Sequence, residues 1–77
     1  MRFEENDYVE LKESFTGREM YFDDRVHILP TGRRGTVVSA FEGVSEVEFC
    51  LNPDEPVEDY DFCVILIDNG FLELVSH

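Results

Sequence analysis

Basic residues are scarce in this chain: six Lys and Arg stand against eighteen Asp and Glu over 77 residues, a net charge of −12. No basic segment offsets the acids. That balance excludes unaided binding to a nucleic acid backbone, which depends on Lys and Arg displacing condensed counterions. It points to a cationic protein partner, or to solubility alone. Long apolar runs are missing as well. The longest, Phe62 to Ile67, falls far short of the ~20 residues that span a bilayer. The Met1–Glu5 start lacks the apolar region of a secretory signal, so a soluble cytoplasmic protein is expected.

Cysteine is limited to Cys50 and Cys63, and histidine to His27 and His77. Two thiols and two distant imidazoles do not make a structural zinc pattern. Buried free thiols are favoured over a disulfide, and a metal site is the least favoured reading; no cofactor is expected. There is no stretch of helical periodicity, no internal repeat and no linker. Catalytic grammar is absent too. Gly32-Arg33-Arg34-Gly35 lacks the Lys and the following helix of a phosphate-binding loop, and reads as a turn into a strand. No Ser/His/Asp or Cys/His set is credible, so no catalytic residue is assigned and the chain is not expected to be an enzyme.

What is present is core material. Apolar residues make up 43% of the chain, including seven Phe and three Tyr, so one small folded domain over residues 1–77 is expected rather than an acidic disordered tail. Alternation predicts strands. Val9 and Leu11 share one face of a first strand, and Thr36 to Phe41 is rich in β-branched and aromatic residues. Glu42-Gly43 then turns the chain into Val44–Leu51, where Val47, Phe49 and Leu51 alternate with Glu46, Glu48 and Cys50, giving a β-hairpin. Phe62 to Ile67 reads as a strand covered on both faces, and Phe71 to Val75 closes the chain. Thr16 to Pro30 reads as a long loop carrying a short strand or helical turn. Five short strands in one chain predict an all-β fold, a closed or nearly closed barrel.

The order Asn6-Asp7-Tyr8-Val9-Glu10-Leu11, Leu29-Pro30-x-Gly32-x-x-Gly35-Thr36-Val37-Val38, Glu46-Val47-Glu48-Phe49 and Leu72-Glu73-Leu74-Val75 resembles a family of short bacterial proteins with an SH3-like barrel. The Gly-x-x-Gly-Thr-Val turn into a strand is similar to that of KOW-type modules and of the nitrile hydratase β-subunit barrel. The resemblance implies a small five-stranded SH3-like barrel with a long first loop. It brings no catalytic residues, and such barrels host many unrelated roles.

Two loops depart from the family pattern: the Thr16–Ile28 insert and the acidic Asn52–Asp61 segment. The latter holds Asp54, Glu55, Glu58, Asp59 and Asp61, with two prolines and none of the glycine that a calcium loop requires. The leading expectation is a small acidic module that docks on a basic protein and inhibits it, as an immunity, antitoxin or phage inhibitor protein covers a nucleic-acid-binding surface. Its contact residues would be Tyr21, Phe22, Asp23, Asp24, Asp54, Glu55, Glu58, Asp59, Tyr60 and Asp61. The alternative is a structural or assembly subunit of an oligomer; for the docking module, a monomer or weak homodimer is expected, without membrane or direct nucleic acid contact.

Overall fold

The computed structural model describes residues 2–21 and 25–77. The described residues are all-β, with seven strands: β1 Tyr8–Leu11, β2 Phe15–Arg18, β3 Val26–Leu29, β4 Arg34–Ala40, β5 Val44–Cys50, β6 Phe62–Asp68 and β7 Leu72–Ser76. Two one-turn 3-10 segments, Val57–Asp59 and Asn69–Phe71, flank β6. Five strands form one antiparallel sheet in the order β6-β5-β4-β1-β7, and β2 with β3 forms a separate two-stranded sheet. No helix among the described residues is long and apolar enough to cross a membrane.

The alternation that marks β4 and β5 in the sequence is realised as burial on one face. Val47 and Phe49 are fully buried, while Glu46, Glu48 and Cys50 turn to the other side. With Val9, Leu11, Val37, Ile65, Ile67 and Leu72 they form a single core, which Phe3 and Leu29 complete. Each such side chain contributes about 1.5–3 kcal/mol by leaving water. Gly43, at φ 82°, makes the β4–β5 turn, and a register shift between Val37 and Ser39 marks a bulge in β4. Inside the core the Ser45 hydroxyl donates to Asn69 Oδ1 at 2.7 Å, anchoring β5 to the turn before β7.

Two expectations are corrected. The predicted five strands are seven, because the Thr16–Pro30 segment is mostly a hairpin and not a loop. Its pairing runs from Phe15 opposite Leu29 to Arg18 opposite Val26. Within the hairpin, Gly17 serves close packing. A Cβ there would lie 2.8 Å from Ile65 Cγ2, so only glycine lets β2 settle on β6.

Strand β6 is covered on one face only. Cys63, Ile65 and Ile67 are buried, whereas Phe62 and Leu66 are 49% and 48% exposed, and a continuous apolar run hides that difference. Among the described residues the strands make two sheets and no closed barrel. The hairpin is tied to β6 where the Met20 N–H donates to Val64 O at 2.9 Å, and it meets the turn before β7 through a Phe15–Phe71 edge-to-face contact at 5.1 Å.

Candidate functional site

Between β5 and β6 the acidic segment is a built loop. Asn52 organises it. Its carbonyl accepts the Glu55 N–H at 3.1 Å, and its side-chain amide donates to Asp59 O at 2.9 Å and to Glu55 Oε2. Its Oδ1 accepts the Asp61 N–H at 2.7 Å. Leu51 N–H to Asp61 O, at 2.8 Å, closes the neck. Prolines 53 and 56 restrict the backbone further. The outcome is that Asp54, Glu55, Glu58, Asp59 and Asp61 are all exposed on a chain whose course is set by hydrogen bonds.

Aromatic surface adjoins these acids. Tyr60 packs edge-to-face on Phe62 with ring centroids 6.1 Å apart, and its hydroxyl donates to Pro53 O at 3.4 Å. Val57, at the loop's crest, is 73% exposed. Tyr21 is 67% exposed and follows Met20, which is bonded to Val64, two residues along β6 from Phe62. That spacing is roughly 7 Å, so this part of the hairpin lies at the same end as the acidic loop. The other residues expected there, Phe22, Asp23 and Asp24, lie outside the described residues.

The N-terminal acids do not join this group. Glu4 and Glu5 border a shallow depression of about 550 Å³ with Ser39, Ala40 and Phe41, at the far end of the β4–β5 hairpin. Seven residues of strand, roughly 23 Å, separate the two sets.

The two arginines at the start of β4 have structural partners. Arg33 Nη1 donates to Cys50 O and Leu51 O at 2.9 and 2.8 Å, capping the end of β5 where the acidic loop leaves. Arg34 Nε donates to Glu10 Oε1 at 3.0 Å and its guanidinium lies over the Tyr8 ring. Together with Cys50 and Tyr60 these side chains line a cavity of about 260 Å³ beside the loop.

The two cysteines are free. Phe49 pairs with Cys63 and Cys50 with Phe62, so neighbouring positions place Cys50 on the outer face and Cys63 in the core, pointing apart.

One cluster has no precursor in the sequence reading, where His27 stands alone in a loop. His27 lies in β3 with its side chain turned inward, and Glu19, just past β2, is buried at 6% exposure. Their Nε2 and Oε2 atoms are 3.1 Å apart. Cys63, at 1% exposure, completes the group from β6. One ligand atom from each of the three lies within 4.8 Å of the other two. The second carboxylate oxygen, Glu19 Oε1, accepts the Val64 N–H at 3.3 Å. Burial above all, and next the negative Glu19, push the Cys63 thiol up to about 11, partly offset by a hydrogen bond with the Phe49 backbone. A thiol so protonated and enclosed has neither the charge nor the access of a nucleophile.

A second group joins Glu4, Asp7 and His77, with Asp7 Oδ1 3.0 Å from His77 Nδ1. Asp7 is buried, while Glu4 and His77 are exposed. No family model, no curated protein and no solved structure matches the chain.

Proposed function

We propose that this protein is a small acidic docking module of SH3-like type, whose Asn52–Asp61 loop binds a basic protein and inhibits it by covering a surface that holds nucleic acid. The observation that carries the reading is the pinned loop: five exposed carboxylates held in place by Asn52, with Tyr60 and Phe62 beside them. Preordering of this kind removes part of the entropy cost of association. The acids steer a cationic partner, raising its association rate by roughly 10–10³-fold, and the aromatic pair supplies desolvated contact after encounter. An SH3-like barrel is supported by a five-stranded antiparallel order with the β2–β3 hairpin tied to β6. The two unpaired thiols suit a reducing cytoplasmic setting.

Capture from a host extract tests this. A variant carrying Asp54→Asn, Glu55→Gln, Glu58→Gln and Asp59→Asn should lose a basic partner that the native chain retains at about 0.15 M salt. A Glu4→Gln, Glu5→Gln variant should retain it. Nucleic acid binding by the captured protein should fall as this chain is added. Retention that survives the loop variant, or persists at about 1 M salt where screening acts over ~3 Å, overturns the reading. The exposed Phe62 and Leu66 on β6 favour a second reading, an oligomer subunit. A monomer by light scattering at every concentration eliminates that one.

A further inference from the structure

We propose that Glu19, His27 and Cys63 form a binding site for one divalent ion of the zinc class, which locks the β2–β3 hairpin onto β6. The site lies on the core-facing side of β6, next to Phe62, and does not depend on the docking reading.

The donor set is a carboxylate, an imidazole and a thiol, the three side chains that zinc takes most readily. Tetrahedral bonds of about 2.0–2.3 Å require donor atoms about 3.3–3.8 Å apart. Glu19 Oε2 and His27 Nε2 already stand at 3.1 Å, and the whole set lies within 4.8 Å. Roughly 1 Å of closure on the Cys63 side therefore completes three of the four positions, within the reach of side-chain rotation. The backbone has prepared the carboxylate. Val64 N–H holds Glu19 Oε1, which leaves Oε2 to the imidazole and fixes the orientation of the ligand. His27 is 18% exposed, so a water can reach the fourth position from its side.

Charge supports the same assignment. Glu19 is buried at 6% exposure, with His27 and the Val64 N–H against its two carboxylate oxygens. On binding, the Cys63 thiol gives its proton to solvent and its sulfur lone pair to the ion. One carboxylate, one thiolate and a neutral imidazole then sum to zero with a divalent cation, which is the balance that a buried site requires. A harder ion such as calcium would need six to eight oxygens, and this site offers mainly nitrogen and sulfur. The Glu4–Asp7–His77 group lacks a thiol and serves as the internal control.

The test uses the full chain, stripped with chelator under reducing conditions and titrated with cobalt(II) and then zinc(II). One equivalent of cobalt should give thiolate-to-metal charge-transfer absorption with the intense visible bands of a tetrahedral site, and zinc should abolish both. Zinc at about 100 times its dissociation constant should raise the melting temperature by roughly 10–20 °C. Cys63→Ala and His27→Gln should lose the charge-transfer band or the affinity, and Cys50→Ala and His77→Ala should keep both. Should the buried Cys63→Ala chain fail to fold, His27→Gln, at a half-buried position, decides the question. Its affinity should fall by more than the roughly 10–100-fold that loss of a merely supporting partner costs. Absence of uptake, weak octahedral bands without charge transfer, or a signal that follows Cys50 or His77 overturns the proposal.

Discussion

Gly35 in β4 lies opposite Phe49 in β5, and a methyl group there has no room. Its Cβ would stand 2.7 Å from both Glu48 O and Val47 Cγ1 and 2.8 Å from Phe49 Cδ1, and a backbone oxygen cannot swing aside. Gly35→Ala should therefore cost about 1–3 kcal/mol, read as a lower urea midpoint at unchanged slope. Of the two roles that the sequence allows a glycine at a strand start, close approach is the one in use. The choice depends on Val47 and Phe49 across the sheet, which no local reading supplies.

Asp7 gives the chain a defined acid response. The Glu4 N–H first, and then His77, hold its carboxyl below the ordinary 3.8, against the opposing effect of burial. As pH falls, the unfolded chain takes up this proton before the native one does. The stabilisation is complete above about pH 3.8 and is lost as pH drops through the lowered native value. Asp7→Asn should accordingly flatten the fall of melting temperature below about pH 4. Parallel profiles for the two proteins would rule out Asp7 as a source of that fall.

At the level of elements, legibility followed the number of faces that each strand buries. β4 and β5 were readable because Val47 and Phe49 alternate with Glu46 and Glu48 over seven residues, long enough to show a period. The β2–β3 hairpin was not, since each strand has four residues and Gly17, Phe15 and His27 carry no common polarity. The Glu19–His27–Cys63 group was illegible for the same reason. It exists only because that hairpin lies on β6, and its members follow no ligand spacing in the chain. The acidic loop could be located from composition, but its rigidity could not, because that rests on Asn52. Asn52→Ala removes the bonds to Asp59 and Asp61. Amide exchange over residues 54–61 should then rise at least tenfold while the exchange of β4 and β5 is unchanged; equal rates in both proteins would mean that the prolines alone hold the loop.

On the scale of the whole molecule, the net charge of −12 is divided rather than gathered. Glu4 and Glu5 sit at one end of the β4–β5 hairpin, the Asn52–Asp61 acids sit at the other, and Glu46 and Glu48 lie half-buried on the outer face between them. The molecule measures 32 × 27 × 20 Å, so at about 0.01 M salt, with a screening length near 30 Å, every acid repels every other. At about 0.15 M that length falls to ~8 Å and only neighbours interact. Melting temperature should rise between these conditions. A fall would mean that ion pairs such as Arg34–Glu10 outweigh the repulsion. The bond between Met20 and Val64 has one more effect. β6 is the outermost strand of the large sheet, yet at its middle both backbone groups of Val64 are occupied, the carbonyl by Met20 and the N–H by Glu19. A second chain laid along that strand finds its central rung already taken. When pH approaches the isoelectric point near 4.2 and repulsion fades, strand addition along β6 still has to displace these two bonds.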